Sequence, residues 1–252
     1  AMYPKAKKTI LLHIKEDYNV DGGYNEHSIG YWFGAAVGEM IYRAVALAAL
    51  NKIDLLDEDA KNRLEKTLNL FALISPATEK APTIGDKEGT LIDPFLAMAV
   101  TMTGNDYCRQ LLEMRHGKRE TVSLPVYYSN HATGFTMART GYAANDTYML
   151  MSTKIDCGIS GHNHMDMLSI IYHLRGVPFI DEPYTGFLYS NISHGSRARG
   201  FLYNMEAHNT VMCYGRQIQD WECYANRFGL YRPDTPVTQF ETNENGMLVS
   251  AY

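Results

Sequence analysis

The residues best able to do chemistry cluster in Gly161-His162-Asn163-His164-Met165-Asp166, inside a stretch that otherwise reads as β-structure. Alternate side chains of an extended strand share a face, so His162, His164 and Asp166 are expected to project together. Two imidazoles and a carboxylate on one face suit a metal site, a proton-transfer site, or both. The competing reading is a strand whose exposed face merely carries polar residues.

Other groups could join them. Asp181 closes the apolar run Val177-Pro178-Phe179-Ile180, and His208-Asn209-Thr210 opens a strand after a stretch containing Arg197 and Arg199. Tyr31 stands beside Trp32 at the start of a long helical pattern. Together His164, Asp181 and His208 supply two imidazoles and a carboxylate, a set that suits zinc with one position left open. Spacing alone does not assemble it. If Arg175-Gly176 is a two-residue hairpin loop, Asp181 falls opposite Ile170, about 20 Å from His164 along a straight strand at roughly 3.3 Å per residue. A bulge, a bend or another register is needed to close that gap.

The elements that must position these groups fall into two kinds. Asp21-Gly22-Gly23 marks a turn, and a helix is expected from Gly30 to about Asn51, with Trp32, Phe33, Ala36, Val37, Met40 and Ile41 recurring at helical spacing. The next helix has Asp57 as N-cap, carries Leu64, Leu68 and Phe71 on one face, and stops before Ser75-Pro76. A short helix with Asp93-Pro94 at its start and one from Asn105 to about His116 complete a set of antiparallel helical hairpins. Beyond Lys118 the period changes. Strands are expected at residues 121–128, 135–139, 147–151, 168–174, 177–180, 210–214, 237–241 and 247–252, with Asn245-Gly246 a tight-turn signal in the last pair. The division expected is helical for residues 1–118 and antiparallel β-sandwich for 119–252. Helices that open the chain without partners, and a strand that closes it, suggest a piece of a longer protein.

Composition bounds the function. The chain has 252 residues, 46% hydrophobic and 20% charged, as in an ordinary globular protein. A net charge of −5 and no basic stripe with interleaved aromatics argue against nucleic acid as a partner. Eighteen tyrosines supply flat amphipathic surfaces for packing or for carbohydrate. Cys108, Cys157, Cys213 and Cys223 form no C-x-x-C pair, and no zinc ribbon or redox motif is expected. The most apolar stretch, Ala35 to Leu50, is interrupted by Glu39 and Arg43, so no membrane span is expected. Ala1-Met2-Tyr3-Pro4 has no signal-peptide pattern.

Several motifs in one order carry a resemblance. Residues 162–166, then Gly176-Val177-Pro178-Phe179-Ile180-Asp181, then His208-Asn209-Thr210-Val211 resemble the heparinase II/III-like polysaccharide lyases. Upstream, the run from Asp21 to Tyr31 and Ile84-Gly85-Asp86 resemble that family's helical domain. The resemblance implies an α+β, multidomain chain: the last part of an (α/α) toroid, followed by an antiparallel β-sandwich, with the active site between them. It also implies β-elimination of a uronic-acid-containing polysaccharide, heparin-like, alginate-like or another.

By the same resemblance Tyr31 is the acid/base and His162 its partner. The resemblance also implies that His164, Asp181 and His208 hold a structural metal, zinc, with no organic cofactor. Arg197, Arg199, Tyr184 and Glu26 bind the anionic sugar, since guanidinium groups match carboxylates well. Family members carry an Asn or His in an earlier toroid helix that neutralises the uronate, and no counterpart is found from residue 1 onward. The expected partners are an acidic polysaccharide and the remainder of the same chain. The expected location, periplasmic or secreted, follows only from where such a substrate lies. Two rivals are a non-catalytic module that binds acidic glycan and a metallo-β-lactamase-like hydrolase suggested by H-x-H-x-D. Hydrolase motifs continue with a further histidine, where Met167 stands here.

Overall fold

The structure is a computed structural model that describes residues 2–87, 89–153, 162, 164, 166–182, 201–202, 205–210, 237–243 and 246–251. Its order is helices first, then antiparallel sheet, the α+β arrangement expected. The helices are α1 (Met2–Asp17), a π-helix (Gly30–Tyr42) that continues into α2 (Arg43–Leu50), α3 (Glu58–Ile74), α4 (Ile92–Thr103) and α5 (Asp106–Arg115). Sequence capping signals mark two of their starts. Asp57 accepts from the Ala60 amide at 2.9 Å and Asn105 from the Cys108 amide at 2.9 Å, each satisfying an amide that the first helical turn leaves without an acceptor. Gly104, at φ 72°, ends α4 in the left-handed conformation.

The long helix expected from Gly30 is present, but its first half is wound as a π-helix, a geometry that tends to mark functional sites. It buries Trp32, Phe33, Ala36, Val37 and Ile41. Gly30–Leu50 is long and apolar enough to cross a membrane by length and composition alone, a test that the core helix of a globular protein also passes. Here its aromatic half packs inside: Phe33 meets Phe71 and Phe95 edge-on, with ring centres 4.9 Å and 5.8 Å away.

Five strands form one antiparallel sheet in sequence order: β1 (Tyr127–Asn130), β2 (Phe135–Arg139), β3 (Tyr148–Ser152), β4 (Ile170–Leu174) and β5 (Val177–Ile180). A separate hairpin pairs β6 (Val237–Asn243) with β7 (Gly246–Ala251). The expected strand at 121–128 is confined to its last residues. The Ser123 amide is taken by the Gln110 side chain at 2.8 Å and Leu124 is buried in the core, so this segment crosses α5 instead of pairing. Nearly all of the strand expected at 210–214 lies outside the described residues.

One contiguous hydrophobic core joins helices to sheet, running from Ile14 and Trp32 through Phe71 and Leu96 to Phe135, Leu150 and Ile171. The junction is also polar. The buried Arg139 of β2 donates to the Ser75 carbonyl at 2.9 Å, and Tyr148 of β3 donates to the Ile74 carbonyl at 2.6 Å. These are carbonyls at the C-terminal end of α3, where a cation and a hydroxyl satisfy acceptors and oppose the negative end of the helix dipole. Arg139 is itself sandwiched near the rings of Tyr142 (3.8 Å) and Tyr148 (5.0 Å).

Candidate active site and metal-binding group

His162, His164 and Asp166 do not share a strand face; all three lie in irregular chain between β3 and β4. What organises them is the loop Ile84-Gly85-Asp86. The Ile29 amide bonds the Ile84 carbonyl at 3.0 Å, and the Asp86 amide bonds the His162 carbonyl at 3.0 Å. This loop therefore stitches the start of the π-helix to the histidine motif. Gly85 is required there: its φ is +74°, and a Cβ would sit 2.7 Å from Ser28 Cβ and 2.8 Å from the His162 carbonyl oxygen.

On one side of the loop, Tyr31 and His162 meet. Their rings stack with centres 3.8 Å apart and planes 15° from parallel. His162 Nδ1 faces the Glu26 carboxylate in direct contact. A carboxylate at Nδ1 fixes an imidazole's tautomer and orientation, the arrangement used to poise the opposite nitrogen for proton transfer. Lys87 Nζ lies over the Tyr31 ring at 5.5 Å from its centre. Tyr31 and His162 are both only partly buried, so both are open to solvent.

On the other side the chain buries its charges. His164 Nε2 and Asp86 Oδ1 are 2.9 Å apart, and the Gly85 amide donates to Asp166 Oδ2 at 3.3 Å. The His164 and His208 rings lie 5.3 Å apart. Ligand atoms of His164, Asp166 and His208 all fall within 4.8 Å of one another. Of the three residues expected to hold metal, His164 and His208 are thus brought together, while the carboxylate beside them is Asp166. Asp181 is exposed at the end of β5, with Oδ1 accepting from the Glu182 amide at 2.9 Å. The required irregularity does exist: the β4–β5 register shifts between Tyr172 and His173. Beyond it the inward carboxylate is Glu182, which contacts both His208 Nδ1 and the Ser169 hydroxyl. Both carboxylates lie just past the end of β5, and nothing in the run 177–182 marks which of the two turns inward.

The donor set fits a divalent cation in kind. Asp86, Asp166 and Glu182 are three buried carboxylates beside two imidazoles, oxygen and nitrogen donors of the kind that hold such an ion. Burial pushes the Glu182 carboxyl above its ordinary range and the His164 imidazole below its own, against the pull of their partners. Asp86 on His164 is the carboxylate–histidine pairing that orients ligands in metal centres. His208 is more committed, with Nδ1 on Glu182 and Nε2 3.0 Å from the Leu202 carbonyl, so ligation exchanges one of these contacts. Tyr184, Arg197 and Arg199, expected to grip substrate, lie outside the described residues. Glu26, expected beside them, is the partner of His162.

No protein-family model matches the sequence, and no curated protein does. Solved structures do match. A heparinase III gene product superposes with a TM-score of 0.78 at 15% identity, covering 96% of this chain and 36% of that one. A second heparinase III structure gives 0.70 at 16% identity, over 94% and 37%. A heparan sulfate lyase from Pedobacter heparinus gives 0.69 at 16% identity, over 94% and 35%. The chain therefore has, over nearly all of its length, the fold of about a third of these heparinase III and heparan sulfate lyase structures.

Proposed function

We propose that this chain carries the catalytic pair of a polysaccharide lyase that cleaves a uronic-acid-containing glycan by β-elimination. The observation that supports it most is the stacked Tyr31–His162 pair, partly exposed and braced by Glu26. In this reading a base of the pair removes the C5 proton of the uronate. The C4–O bond then breaks, a C4=C5 double bond forms, and the departing glycosidic oxygen takes a proton from the tyrosine hydroxyl. Glu26 keeps His162 oriented through the proton transfers. The fold shared with heparinase III and a heparan sulfate lyase supports the reaction class.

The metal belongs to the same proposal, with zinc as the ion and His164, Asp166 and His208 as the residues that would hold it. When bound it supplies positive charge to a buried acidic cluster. Because His164 and Asp166 are buried, its role is to fix the loops that carry His162, rather than to meet substrate. The test is to incubate the protein with heparan sulfate, alginate and an unsulfated uronate glycan and follow ultraviolet absorbance. An absorbing unsaturated product that disappears in Tyr31→Phe and His162→Ala supports the lyase. New reducing ends without that absorbance overturn it in favour of hydrolysis.

A further inference from the structure

A cavity of about 720 Å³, in the size range of small-molecule sites, lies between the π-helix and the start of α4 and shares Lys87 with the surroundings of Tyr31. One wall is the π-helix, where Gly34 and Gly38 present bare backbone; the other is α4, through Leu91, Pro94, Phe95 and Met98. Its rim is polar, with Lys80, Lys87, Glu39 and Glu79. The frame is fixed: the Ala81 amide bonds the Thr90 carbonyl at 2.9 Å and the Ile92 amide bonds the Glu79 carbonyl at 2.9 Å. Gly89 permits this, because a Cβ there would lie 1.9 Å from the Ala81 carbonyl oxygen.

Lys87 belongs to both places. Its ammonium lies over the Tyr31 ring at 5.5 Å and also lines the cavity, 3.8 Å from Glu39 Oε1. Gly34 faces both groups: a Cβ there would sit tightly at 3.0 Å from Thr90 Oγ1 and in ordinary contact at 3.5 Å from Lys87 Nζ. Apolar floor, carboxylates able to accept sugar hydroxyls, and ammonium groups for an anion are the chemistry of an acidic-glycan subsite. An exposed Lys–Glu pair at this distance is weak, so an incoming carboxylate or sulfate can replace Glu39 at little cost.

We propose that this cavity is a glycan-binding subsite linked to the reactive pair through Lys87, and that Lys87 recognises an anionic substituent, carboxylate or sulfate, on the sugar within it. The proposal rests on the lyase reading for its orientation, but its test does not depend on turnover. In a Tyr31→Phe background, binding of a heparan sulfate oligosaccharide and of its fully desulfated counterpart is measured by calorimetry at several salt concentrations. Lys87→Ala is expected to weaken binding about tenfold and to flatten the salt dependence, with Lys87→Arg restoring most of it. Loss with both oligosaccharides assigns a carboxylate to Lys87, and loss only with the sulfated one assigns a sulfate. Gly34→Leu, which fills the cavity and removes no charged group, is expected to weaken both. Unchanged affinity in Lys87→Ala and Gly34→Leu overturns the subsite even if the wild type turns glycan over. Tenfold losses here, alongside a wild type with Tyr31 intact that yields no unsaturated product, overturn the lyase reading and leave the subsite standing.

Discussion

Asp86 and His164 are joined by a 2.9 Å hydrogen bond between side chains that are 4% and 1% exposed, linking the helical part of the chain to the loops of the sheet. No solvent screens the pair. Removing its acid strands an imidazole beside Asp166 and His208 in a buried cluster. Breaking such a pair from one side costs about 3 kcal/mol. Asp86→Ala is therefore expected to lower the urea midpoint strongly, whereas Asp86→Asn, which retains an acceptor oxygen, costs less. Equal and negligible losses in both would remove this pair from the forces that hold the loop.

The metal group makes a prediction that separates two neighbouring carboxylates. Analysis of purified wild type, handled without chelators, is expected to find about one zinc per chain. His164→Ala and Asp166→Ala lose it, while Asp181→Ala keeps it, since Asp166 and not Asp181 lies with the two histidines. Asp86→Asn weakens retention roughly 10- to 100-fold by loosening His164. Loss in Asp181→Ala with retention in Asp166→Ala would reverse the assignment of the carboxylate.

Gly85 offers a test of the loop as a positioning device. Its φ of +74° and a Cβ that would collide with Ser28 and the His162 carbonyl make Gly85→Ala unfavourable twice over. A loss of roughly 2 kcal/mol is expected from the conformation alone, with local displacement added. Because the same loop bonds Ile29 and His162, the Tyr31–His162 stack should loosen with it. The measurement is thermal stability alongside the ring-current shift of the His162 protons in NMR spectra. Unaltered shifts would mean that the stack is held by Glu26 without help from the loop.

Much of this arrangement was legible from residue types, and the exceptions share a cause. Asp57, Asn105 and Arg175-Gly176 act through bonds and dihedrals only a few residues long, so local sequence located them; Arg175 and Gly176 do turn at φ 51° and 78°. Tyr31 and His162 were connected through resemblance, since no spacing rule relates groups so far apart in the chain. The histidine motif reads locally as an alternating strand, because nothing local reveals that loop 84–86 binds its backbone and side chains. Likewise the register shift at Tyr172 decides which of Asp181 and Glu182 turns inward, and a bulge leaves no composition signal. Residues 121–126 look like a strand, but the helix beneath them offers Gln110 as a partner before any strand does.

Alkaline pH probes the aromatic part of the core. Burial, aided by nearby carboxylates, pushes the phenols of Tyr24 and Tyr128 up to about 12, and those of Tyr18 and Tyr148 are raised as well. Phenols are neutral when protonated, and the unfolded chain ionises them near pH 10. A folded-state value above the unfolded one means that folding binds the extra protons. Its contribution is complete below pH 10 and is lost as pH climbs from there toward 12. The urea midpoint should therefore hold steady to about pH 9 and fall steeply by about pH 11, with the tyrosinate absorbance of the buried rings appearing only with unfolding. Tyr24→Phe should soften that fall, and Tyr148→Phe should trade a softer fall for lower stability at neutral pH, since its hydroxyl bonds the Ile74 carbonyl at 2.6 Å. Gradual ionisation of all eighteen tyrosines in a chain that stays folded would show that water reaches these rings, and that the junction of helices and sheet is looser than its packing implies.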